Sequence, residues 1–177
     1  TLLEIAAAKR EGRSLGDLPG ARHGTPREVL HDLTHRALVR PILADVTADE
    51  TLSLLKYAAD AGFDLVLANK KPLAAAFADV EALRGVIAAR GGALRFEATV
   101  GAGLPTIAAI EQLVGTGDRG RRIEGCLSGT LGVVLSALEA GTPFSVAVQD
   151  ALTRGYTEPD PRDDLSGQDA ARKGLIL

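Results

Sequence analysis

Two short apolar runs, residues 42–45 and 63–68, flank a stretch, 48–62, whose apolar positions recur with helical spacing and which closes on Gly62. Glycine is the residue that most readily ends a helix, so the order strand, helix, strand is predicted. This βαβ alternation constrains the chain more than any other feature. Open parallel sheets hold ligands beyond the carboxyl ends of their strands. The loops Asp45-Val46-Thr47 and Asn69-Lys70 are therefore expected at one rim, where both touch one ligand. By position alone Thr47 also reads as a cap for the following helix, and Lys70 as a surface charge.

Elsewhere, residues 1–12 have helical spacing, the Gly-, Pro- and Arg-rich stretch to Thr25 reads as loop, and a helix is predicted from Pro26. His31 and His35 stand one turn apart on it, but no clustered Cys or Glu completes a zinc site, so they read as solvated or capping histidines. Next come a helix over 74–90, a turn at Gly91-Gly92 and a strand over 94–100, where the chain changes domain. Beyond it, a helix is predicted over 105–113, a strand over 122–127, and helices over 130–140 and 144–154, ended by Gly141 and Gly155.

With 177 residues, 46% of them hydrophobic, the chain is expected to be globular. Aromatic residues make up 3% and the net charge is −3, which gives neither stacking platforms nor an electrostatic pull toward nucleic acid or an anionic membrane. Small molecules and other protein subunits are the expected partners. No apolar run approaches a membrane span and no signal peptide is visible, so a cytoplasmic location is expected. The single Cys126 excludes an internal disulfide and reads as a small core residue rather than a nucleophile. The sequence contains no methionine, for which truncation would account.

Residues 155–173 carry five carboxylates and end on Lys173. Pro159 and Pro161 stiffen the segment bearing Glu158 and Asp160. Ser166 followed by Asp169 reads as a capping box, and Asp169 and Lys173 then share a helical face. Taken alone, that pair is an ordinary helix ion pair worth about 0.3–0.5 kcal/mol. The loop 97–105 brings Gly101, Ala102 and Gly103 together where backbone can approach a ligand closely, but its spacing is not that of a GxGxxG phosphate cradle. Ser128-Gly129-Thr130 opens a helix whose N–H groups can take an anion or receive a cap.

The string 155–173, with Ala68-Asn69-Lys70-Lys71-Pro72 and the loop 97–105, resembles homoserine dehydrogenase over roughly Asp45 to the last residue. The resemblance implies an α/β fold. A partial Rossmann-like nucleotide-binding domain over 1–93, lacking its Gly-rich opening turn, would precede an α/β substrate-binding and dimerisation domain with a mixed sheet over 94–177, incomplete at its C-terminus. It further implies NAD(P)-dependent interconversion of L-homoserine and L-aspartate 4-semialdehyde in threonine, methionine and isoleucine biosynthesis, by a homodimer.

By residue matching, Lys173 is the acid/base lysine, and Lys70, which directly follows the asparagine, faces nicotinamide and substrate. Like-charge repulsion between these two amines would favour the neutral form of Lys173. Glu158, Asp169 and Asp164 are substrate contacts and Thr130 lines the cleft, while Thr47 and Gly155 contact the cofactor. Carbonyls of Glu97, Val100, Ala102 and Leu104 would hold a sodium ion. The alternative is a non-catalytic ligand-binding or assembly domain of the same fold.

Overall fold

The structure, a computed structural model, describes residues 1–21, 24–157 and 160–177, with the side chain of Asp163 outside the description. Glu158, singled out above as a substrate contact, lies outside the described residues. The chain divides into two units, Thr1–Val39 and Arg40–Leu177.

In the first unit, helices α1 (Leu2–Arg10) and α2 (Pro26–Thr34) both open on capping boxes, Thr1 with Glu4 and Thr25 with Glu28. Each threonine side chain accepts from a first-turn N–H while the glutamate reaches back to the cap N–H. His31 and His35 meet edge-on, with Nε2 atoms 3.1 Å apart.

The second unit begins with β1 (Ile42–Asp45), α3 (Leu52–Asp60) and β2 (Asp64–Leu67), the βαβ unit expected from the periodicity. Gly62, at φ +91°, turns the chain from α3 into β2. Helix α4 (Phe77–Ala89) leads into β3 (Leu94–Arg95). Among the described residues the strands form one parallel sheet in the order β1-β2-β3. Leu65 and Leu67 of β2, Leu55 of α3 and Leu83 of α4 are fully buried, the apolar burial that holds helices against a sheet. Helices α5 (Thr106–Gly115), α6 (Gly129–Glu139), α7 (Phe144–Thr153), α8 (Pro161–Leu165) and α9 (Gln168–Ile176) follow. A second core packs Val134 of α6 against Ala147 and Ala151 of α7.

Four local expectations are corrected. Residues 122–127 form no strand: a strand exists only through its ladder, no described segment pairs with this one, and Ile123 is 56% exposed. The strand expected over 94–100 stops at Arg95, because the chain turns into a 3-10 segment, Glu97–Thr99. From there the Glu97 carboxylate accepts from Ile107 N and Ala108 N, each at 2.9 Å, and so caps α5 from outside that helix. The Ser166–Asp169 capping box does not form, since Gly167 in the left-handed conformation opens α9 and two lysines occupy the Asp169 carboxylate. Cys126 is exposed rather than a core residue, with its thiol 3.4 Å from the Ser128 carbonyl.

Candidate active site

Because β1 and β2 run parallel, their carboxyl ends emerge side by side. Asp45, the last residue of β1, is only 4% exposed. Its carboxylate accepts from Thr47 N at 3.0 Å, Thr47 Oγ1 at 2.8 Å, Thr51 Oγ1 at 2.5 Å and Asn69 Nδ2 at 3.1 Å. Burial raises its pKa, but the hydrogen bonds from Thr51, Thr47 and Asn69 together outweigh burial and hold the group below the usual carboxylate value. Asn69 also donates to the Asp49 carbonyl at 2.8 Å and accepts from Lys71 N at 3.1 Å. The loops after both strands are thus pinned to one buried anion. Thr47, which also reads as a helix cap, instead turns its hydroxyl back to Asp45, and α3 begins later, after Thr51.

This pinning fixes where Lys70 starts. Its ammonium lies 2.5 Å from Asp169 Oδ1, on the first turn of α9. Lys173, one turn along the same helix, places its ammonium 2.6 Å from Asp169 Oδ2 and donates to the Leu127 carbonyl at 2.8 Å. The two amines expected to face each other therefore meet across a shared carboxylate. Burial raises the Asp169 pKa, while the hydrogen bonds from Lys173 and Lys70 and their positive charges bring it below its ordinary value.

A cleft of about 610 Å³ opens beside this constellation. One wall is the strand rim, Thr47, Asn69, Lys70 and Lys71; the other is Asp160, Gln168, Asp169 and Arg172. Hydrogen bonds and charge from Arg162 hold the exposed Asp160 carboxyl down to about 2.

The remaining residues singled out in the sequence lie around this centre rather than in its wall. Lys173 stands behind Asp169. Thr130 and Asp164 are buried together: the Thr130 hydroxyl is 2.6 Å from the Tyr156 carbonyl and 3.0 Å from Asp164 Oδ1, which ties α6 to α8. Gly155, at φ +72°, ends α7. Glu97, Val100, Ala102 and Leu104 bracket a tight turn in which Ala102 adopts φ +51° and the Leu104 carbonyl accepts from Thr106 N at 2.9 Å. Among the described residues no group of three or more His, Cys, Asp or Glu side chains could hold a metal ion, and no helix is long and apolar enough to cross a membrane.

Sequence reasoning passed over Asp45 as a hub, and Gln168 and Arg172 as cleft residues. Asp45 had a signal: a carboxylate ending an apolar strand, with hydroxyl residues two and six positions later. Arg172 had none beyond its place on the helical face of Gln168.

Comparison with known proteins bears on this geometry. Residues 105–177 match the family model for homoserine dehydrogenase. Over that stretch the chain is similar to the homoserine dehydrogenase family. It is 43% identical over 137 residues to a bifunctional aspartokinase/homoserine dehydrogenase of Zea mays, covering 77% of this chain and 15% of that protein. With homoserine dehydrogenase of Paracoccidioides brasiliensis it shares 39% identity over 147 residues, 78% of this chain and 40% of that protein. Among solved structures, a hyperthermophilic archaeal homoserine dehydrogenase in complex with NADPH superimposes with a TM-score of 0.83 at 26% identity, over 99% of this chain and 53% of that one. The chain thus spans about half or less of the length of these relatives. The shared architecture is the α/β, Rossmann-like one.

Proposed function

We propose that this chain forms the catalytic portion of an NAD(P)-dependent homoserine dehydrogenase, interconverting L-homoserine and L-aspartate 4-semialdehyde in amino-acid biosynthesis. The observation that carries the reading is the convergence of Lys70 and Lys173 on Asp169 beside the cleft at the strand rim. The carboxyl edge of a parallel sheet fits a dinucleotide's nicotinamide end, which supplies the hydride acceptor when bound.

The protein's share is orientation and proton handling. Thr47, Lys70 and Gly155 would face the cofactor. Asp169 and Glu158 would bind the amino group of the substrate, with Asp164 and Thr130 completing that side. Lys173, once it has given up its own proton, would take the hydroxyl proton at Nζ, with Asp169 and the Leu127 carbonyl orienting the amine. The bend at 97–104 would hold a sodium ion through carbonyls of Glu97, Val100, Ala102 and Leu104, since oxygen dipoles suit a hard, singly charged cation. Residues 1–93 would serve nucleotide binding and 94–177 substrate binding and dimerisation.

The test uses the full-length protein carrying this chain. Nucleotide reduction is expected with L-homoserine and NAD(P), and Lys173→Ala should lower kcat at least about 100-fold with cofactor binding intact. Unchanged turnover in that variant removes Lys173 from the chemistry. No nucleotide reduction by the wild type overturns the proposed activity.

A further inference from the structure

Arg172 lies in the cleft wall one turn after Gln168, half-buried, and it makes no hydrogen bond or ion pair with any described residue. The other described charges in and beside the cleft wall are matched. Asp160 is held by Arg162, Lys71 faces Glu50 at 3.6 Å, and Lys70 and Lys173 share Asp169. Two ammoniums on one carboxylate already leave a positive excess, and Arg172 adds a second charge. A guanidinium drawn part-way out of water into a concave wall, with no acceptor among the described residues, is unlike a solvated surface arginine. Its planar fork matches the paired oxygens of a carboxylate or phosphate.

We infer that Arg172 is the anion-recognising residue of this cleft, binding the carboxylate of the amino-acid substrate or a phosphate of the dinucleotide. The inference rests on the function proposed above and adds to it a specificity-determining contact.

The experiment measures dissociation constants of the full-length protein for NADPH, by fluorescence, and for L-homoserine, by calorimetry, in wild type, Arg172→Gln and Arg172→Lys. KM and kcat are measured alongside. Arg172→Gln is expected to weaken one ligand about 10- to 100-fold, the loss that follows removal of a charged hydrogen-bonding partner, and Arg172→Lys to recover part of it. Weakening confined to L-homoserine identifies the carboxylate as the anion, and weakening confined to NADPH identifies the phosphate. If the wild type binds both ligands and Arg172→Gln binds them equally well, the inference falls while the proposed function stands. If Arg172→Gln weakens a ligand and Arg172→Lys is equally weak, the paired geometry of the fork, and not charge alone, carries the recognition. A wild type that binds neither ligand overturns both proposals together.

Discussion

Lys70 and Lys173 place their ammonium groups 2.5 and 2.6 Å from the two oxygens of a single carboxylate, that of Asp169. One lysine follows β2 and the other sits on α9, so the shared anion fastens the last helix to the strand rim. A carboxylate between two cations also relieves the repulsion that would otherwise force the amines apart. The same contact thus holds structure together and sets the position of the candidate acid/base.

Replacing Asp169 by Asn keeps the shape and removes the charge. The variant is expected to lose about 1–3 kcal/mol of stability, because both ammoniums keep their partial burial without a counter-ion. Urea unfolding of wild type and variant measures this, and a loss below about 0.5 kcal/mol would reduce the cluster to an ordinary surface pair.

Asp45→Ala leaves the Thr51 and Asn69 donors without their buried acceptor. The expected cost is about 1–3 kcal/mol, chiefly from the Thr51 hydroxyl, since Asn69 keeps the Asp49 carbonyl. A double-mutant cycle of Asp45→Ala with Asn69→Ala should show a coupling of at least about 0.5 kcal/mol, since one hydrogen-bond network contains both. Additive losses would show that the two loops are not tied together through this pair.

Acid tests the same groups. Asp45 and Asp169 both have pKa values lowered from 3.8, so the folded state binds protons more weakly than the unfolded chain. Their stabilisation is complete above the unfolded value and is lost as pH falls through the lowered folded values. Stability should therefore be insensitive to these groups near neutrality and decline below about pH 4. In Asp45→Asn and Asp169→Asn the acid slope should be shallower, as chemical denaturation across pH would record.

Glu97 caps α5 with its side chain, accepting from Ile107 N and Ala108 N. Glu97→Ala is expected to destabilise by about 0.5–2 kcal/mol, the range for loss of a helix cap. Glu97→Gln, which keeps one acceptor oxygen, should lie between Glu97→Ala and wild type in a thermal melt.

Cys126 is exposed and its thiol makes a single weak contact with the Ser128 carbonyl. A small alkylating agent is expected to modify it in the native protein without denaturation, which intact mass at timed intervals would follow. Protection until denaturation would return it to the core.

Several site features were legible in the chain itself. The apolar runs ending at Asp45 and Leu67, with Gly62 between them, dictate a βαβ unit because periodicity, strand length and a helix stop are local properties. That unit alone carries Thr47 and Lys70 to one edge. The spacing of Asp169 and Lys173 likewise guarantees a shared helix face.

What residues 122–127 do, by contrast, depends on a pairing partner that no short window contains, and the segment is unpaired among the described residues although its composition suits a strand. Cys126 is exposed for the same reason. Local sequence determined which side chains could reach a rim and which helix faces were charged. Tertiary structure alone decided that two lysines from distant elements take the same carboxylate and that Asp45 gathers donors from two loops. Such contacts depend on how element ends cross in space, where burial and charge neutralisation select one arrangement from many that the sequence permits.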